Sequence, residues 1–99
     1  MESYELLYDK TERVNVNFVG MTTESARYDF GITYTNMFFG KPLITCMQTG
    51  RSFLLCADDI TDVEQIQRLF KVDPYEAEAL VDFFKDVLPV TSLQTQYAE

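Results

Sequence analysis

Cys46 and Cys56 are the chain's two thiols, and their spacing raises the question of whether the fold brings them together. If Gly50-Arg51-Ser52 forms a three-residue loop, the thiols face each other across two strands. A two-residue loop at Thr49-Gly50 instead sets Cys46 opposite Phe53. The neighbours Ile44, Leu54 and Leu55 are apolar, and apolar surroundings raise a thiol pKa and slow its reactions. Buried structural thiols are therefore expected, with a thiol redox or thiol enzyme centre at Cys46 and Cys56 as an alternative. The chain contains no histidine. That removes His-dependent triads, His-based metal sites and imidazole general bases together.

Asp58, Asp59, Asp62 and Glu64 form an acidic cluster without the alternate-residue ladder or central glycine of an EF-hand loop. Helix capping is the expected role, and no metal or cofactor is expected. Asp29-Phe30-Gly31 matches a kinase tripeptide by letters only and lies in a strand pattern, so it carries nothing. Arg27 and Arg51 are the anion-binding candidates. In an up-down meander the turn before Tyr28 and the turn at Gly50 lie at the same sheet end, where two guanidinium groups can clamp a carboxylate or phosphate. Gln48 and Thr49 add donors there, whereas Glu24 and Asp29 offer these arginines ordinary ion pairs.

The elements that position these residues follow from periodicity. Val14, Val16 and Phe18 alternate with Arg13, Asn15 and Asn17, which predicts a strand. Tyr28, Phe30, Ile32 and Tyr34 alternate with Asp29, Gly31, Thr33 and Thr35 in the cleanest strand pattern of the chain. Asn36 to Gly40 turns the chain, and Pro42 suits the first position of a strand. Leu43 to Gln48 and Ser52 to Ala57 read as two further strands, and Tyr4 to Tyr8 as a short extra one. After Asp58 the period becomes helical. Thr61-Asp62-Val63-Glu64 has capping-box spacing, followed by the stripe Val63, Ile66, Leu69, Phe70. Asp73-Pro74-Tyr75-Glu76 is a second start signal, with the stripe Ala77, Leu80, Val81, Phe84, Leu88 behind it and Pro89 at its end. Strands first and helices second predict an α+β fold: an antiparallel meander of four to five strands with two C-terminal helices packed on one face. One domain over residues 1–99 is expected, with 90–99 a frayed tail.

Ninety-nine residues of 11.5 kDa, 46% hydrophobic and 24% charged, exclude a disordered or low-complexity chain. The net charge of −8 excludes tracking of nucleic-acid phosphates and docking on anionic lipid. Residues 1–57 hold six acids against five bases, and residues 58–99 hold ten against three. The acidity thus belongs to the helical layer, where acids favour helix N-termini. The acidic start lacks signal-peptide character and no apolar run approaches a membrane span, so a cytoplasmic protein with free thiols is expected.

The hairpin from Leu43 to Ala57 is apolar on both faces, and two helices on one side cannot cover both, so the N-terminal segment, the C-terminal tail or another copy of the chain must shield the second. Met37-Phe38-Phe39 adds large aromatics at a turn where polar residues are usual. Phe38, Phe39, Ile44 and Leu54 are therefore the candidate residues of a protein contact surface, for a protein partner or a homodimer. The alternatives are a small-anion binding module at Arg27 and Arg51, and the thiol centre.

The stretch Arg27 to Asn36, then Phe38-Phe39-Gly40-Lys41, Gln48-Thr49-Gly50-Arg51 and Asp58-Asp59, resembles a small family of uncharacterised proteins from Gram-positive Firmicutes. The resemblance covers most of the chain. It implies a cytoplasmic bacterial origin and one α+β domain, and it brings no activity and no catalytic residues with it.

Overall fold

The computed structural model describes residues 3–60 and 62–89. Four strands, β1 (Asn15–Thr22), β2 (Arg27–Tyr34), β3 (Leu43–Cys46) and β4 (Ser52–Leu54), form one antiparallel sheet in the order β1-β2-β3-β4. Two helices follow, α1 (Val63–Phe70) and α2 (Pro74–Val87). The fold is the α+β meander that the alternation and the switch to helical period predict.

The sheet has two unlike faces, and its register shows which residues belong to each. Val19 pairs with Phe30, and Ile32 pairs with Ile44 and Asn17. These side chains share the face that meets the helices. Phe30, Ile32, Ile44 and Cys46 are buried there with Ile66, Ala77, Leu80, Phe84 and Leu88. Phe30 is the hub of an aromatic cluster, with ring centroids 5.1 Å from Phe84, 5.8 Å from Phe83 and 6.0 Å from Phe70. Such offset and edge contacts add to the burial of large rings. Both helical stripes face this core as their spacing requires.

Each helix starts on an aspartate. Asp73 accepts a hydrogen bond from the Glu76 amide at 2.8 Å, with Pro74 in the first turn. At α1 the cap is Asp62, which accepts from the Gln65 amide at 2.7 Å. The capping-box spacing points to Thr61, which lies outside the described residues. A carboxylate one position later serves the same orphan amides.

Several local expectations are corrected. Tyr4 to Tyr8 forms no strand and is exposed coil. Strands β3 and β4 are shorter than the apolar runs suggested. Beyond Leu54 the chain leaves β4, with Ala57–Asp59 forming a turn of 3-10 helix. The frayed tail expected at 90–99 lies outside the described residues.

Candidate functional site

The β3–β4 connection follows neither of the two tight loops. Thr45 pairs with Ser52, the Cys46 amide donates to the Arg51 carbonyl at 2.8 Å, and the Gly50 amide donates to the Cys46 carbonyl at 2.7 Å. Met47 to Gly50 therefore make the turn, with Gly50 at φ 77°, a left-handed conformation that glycine takes without strain. Cys46 thus lies opposite Arg51, and Cys56 lies beyond the far end of β4. Both thiols are buried and free. The Cys46 thiol faces the Gln48 amide oxygen at 3.7 Å, and the Cys56 thiol faces an Asp59 carboxylate oxygen at 3.5 Å.

Arg27 and the Gly50 turn do lie at one end of the sheet, because the Met47 amide donates to the Asp29 carbonyl. The groups meant for an anion are, however, engaged with each other. The Arg27 guanidinium reaches the Asp29 carboxylate at 3.1 and 3.2 Å. Gln48 donates its Nε2 to the other side of this cluster, to Asp29 Oδ2 at 2.7 Å, and accepts the Asp29 amide at 2.9 Å. These bonds, Gln48 first and Arg27 second, hold the Asp29 carboxyl below the usual carboxylate range. Arg51 sits exposed just after the turn, and among the described residues its bonds run through its backbone.

The acidic cluster is structural as well. Asp59 accepts the Cys56 amide at 3.0 Å and pairs with the Lys41 ammonium at 3.0 Å, tying the segment before β3 to the segment after β4. Burial alone raises the Asp59 carboxyl, but the Cys56 amide and Lys41 outweigh it and lower its pKa. Among the described residues no group of three or more Cys, Asp or Glu side chains could hold a metal ion.

Sequence reasoning missed the most connected polar residue. Glu76, in the first turn of α2, is only 6% exposed and pairs with no cation among the described residues. Its carboxylate accepts the hydroxyls of Thr23 at 2.9 and 3.0 Å, Ser25 at 3.1 Å and Tyr28 at 2.8 Å. The positive end of the helix macrodipole compensates its charge. Glu76 therefore fastens the β1–β2 turn to α2. Burial first, and then the bond to Glu76, push the Tyr28 phenol up to about 12. The only sequence signal was a glutamate at the third helical position, which capping already explained.

The interface candidates divide. Ile44 is 0% exposed and lies in the core against the helices, so it leaves the candidate surface. Register explains this: Ile44 pairs with Ile32 and Phe53, all on the helix side. Leu54 has the opposite orientation and is 37% exposed. It ends a cross-strand row on the outer face, Val16–Thr33–Leu43–Leu54. A parallel row runs Phe18–Gly31–Thr45–Ser52, and there Phe18 is 73% exposed. A Cβ built at Gly31 would lie 2.9 Å from Met47 Cε and 3.3 Å from Phe18 Cε1, so these two side chains lean over the glycine from either side. The outer face thus carries Val16, Phe18, Leu43, Met47 and Leu54, and neither α1 nor α2 lies on it.

Phe38 and Phe39 occupy the β2–β3 turn, Phe38–Gly40, with φ 53° and 66°; Gly40 follows at 73°. Left-handed backbone is unfavourable for a residue with a Cβ. Phe39 is nonetheless 86% exposed, so core packing does not hold it there. Glu12 secures the other side of this turn, accepting the Thr35 hydroxyl and, at 2.8 Å, the Asn36 amide. Those two bonds lower the Glu12 carboxyl below its ordinary pKa.

No helix among the described residues is long and apolar enough to cross a membrane. No curated protein matches the chain. The profile of one small uncharacterised family matches residues 7–86, including the whole sheet, α1 and nearly all of α2, and the chain therefore belongs to the SAV0927-like family.

Proposed function

We propose that this domain is a non-enzymatic protein-contact module that works through the sheet face opposite its helices. The observation that carries the reading is the group of Val16, Phe18, Leu43, Met47 and Leu54, which lie on that face in neighbouring cross-strand rows uncovered by either helix. Large apolar side chains gathered on one exposed sheet face are costly in water and typical of association sites. Phe38 and Phe39 extend the contact surface at the β2–β3 turn. The anion-binding reading has lost its main support, because Arg27 and Gln48 are both engaged by Asp29. Buried thiols likewise weaken the thiol reading. Buried thiols free of a disulfide support a cytoplasmic location, and the resemblance supports a Gram-positive host.

The test is capture from host extract on three immobilised baits: wild type, Val16→Ser with Phe18→Ser, and an Arg68→Ala control on α1. Specific partners, a second copy of the chain included, should fall about tenfold on the sheet-face bait alone. Equal retention on all three baits overturns the reading.

A further inference from the structure

Strand β1 is a free edge of the sheet, paired only with β2 among the described residues. The Met47 amide bonds the Asp29 carbonyl, so Asp29 turns its backbone groups toward β3, and its β1 partner Gly20 turns its own outward. Antiparallel alternation then aims the N–H and C=O groups of Val16, Phe18, Gly20 and Thr22 off the edge. Protected edges carry charge, proline or a bulge. This one has none: from Val14 through Thr23 there is no charged residue and no proline, and all eight residues of β1 pair with β2 in unbroken register. The charge pattern around the edge selects its partner. The chain carries −8 in total, so two copies repel over most of their surface, but not along this segment. Arg13 precedes it and Glu24 follows it, and neither is ion-paired within the chain among the described residues.

We propose that two copies of this chain join edge to edge through antiparallel β1 strands, forming one eight-stranded sheet around a twofold axis. The proposal goes beyond the contact-module reading, which concerns the outer face, and gives the β1 edge a partner of its own. Antiparallel pairing brings the Arg13 end of each strand to the Glu24 end of the other, so opposite charges meet at both ends. Only the outward-aimed residues can exchange hydrogen bonds, which leaves two central registers. An axis at Phe18 sets Glu12 against Glu24 of the second copy. An axis at Val19 avoids that clash and sets Phe18 against Gly20 and Val16 against Thr22 of the second copy, and it is the register proposed. The outer-face stripe then runs continuously across both copies.

Amide exchange and sedimentation on the full chain, at about 0.5 mM and about 5 µM, test this directly. At the higher concentration the protein should be a dimer, with the Val16, Phe18 and Gly20 amides exchanging at least about tenfold more slowly than at the lower. The Asn17 and Val19 amides, bonded to β2 in either state, should not change. Arg13→Glu or Glu24→Arg alone should weaken the dimer about tenfold, and the two together should restore it. A dimer whose Val16, Phe18 and Gly20 amides stay unprotected overturns edge pairing and leaves the contact-module reading standing. A monomer at both concentrations overturns edge pairing too, and the capture experiment then decides the broader reading by itself.

Discussion

Glu76 illustrates how a single buried carboxylate organises a small fold through hydroxyl donors. Two hydroxyls from the β1–β2 turn and one from the start of β2 converge on it, and the start of α2 supplies the compensating dipole. Replacing Glu76 with Ala leaves those hydroxyls without their shared acceptor and should cost about 2–3 kcal/mol in chemical denaturation. Glu76→Gln keeps one acceptor and should cost less; equal losses would mean that the acceptor is not what matters. Tyr28 reports on the same contact through pH. Its phenol is held protonated to about 12, so the stabilising neutral form is fully present below the ordinary phenol pKa near 10. That contribution is lost as pH rises through the interval between the two values. Denaturation midpoints should therefore fall over that interval in the wild type and fall less in Tyr28→Phe. Parallel curves would exclude the Tyr28–Glu76 contact as the cause.

At the scale of elements, the β2–β3 turn is where local preference and exposed chemistry disagree. Phe39 combines a left-handed backbone with almost full exposure. Glycine suits that backbone better by about 1 kcal/mol, offset by a comparable entropy loss on folding. Phe39→Gly should consequently leave thermal stability within about 1 kcal/mol of wild type, and a loss above about 2 kcal/mol would show that the ring supports the fold. Strand and helix identities were legible from the sequence because burial imposes a strict period on each: Tyr28, Phe30, Ile32 and Tyr34 show the sheet's period, and Ala77, Leu80, Val81 and Phe84 show the helix's. Which face a stripe meets was not legible. Val14, Val16 and Phe18 have the same alternation as a buried strand, yet they point away from the helices. Ile44 and Leu54 looked equivalent until the β3–β4 register separated them. That register depends on a turn over Met47 to Gly50, and neither of the shorter loops suggested by Gly50 matches it. The Glu76 cluster was hidden for a similar reason: its donors lie about fifty residues upstream, and no local pattern links them.

For the molecule as a whole, the helices and the sheet divide the work. The helical layer closes one core and holds most of the net negative charge, while the strands present an apolar outer face and an uncharged edge. A chain that needed only to fold would gain solubility from polar residues at Val16 and Phe18, since neither meets the helices. The account therefore centres on that face as a contact surface, and photo-crosslinking in the host cell tests it most directly. A benzophenone side chain placed at Phe18 should give discrete covalent adducts with protein, and the same group at Arg68 on α1 should give none. Adducts from Arg68 with none from Phe18 would contradict the account.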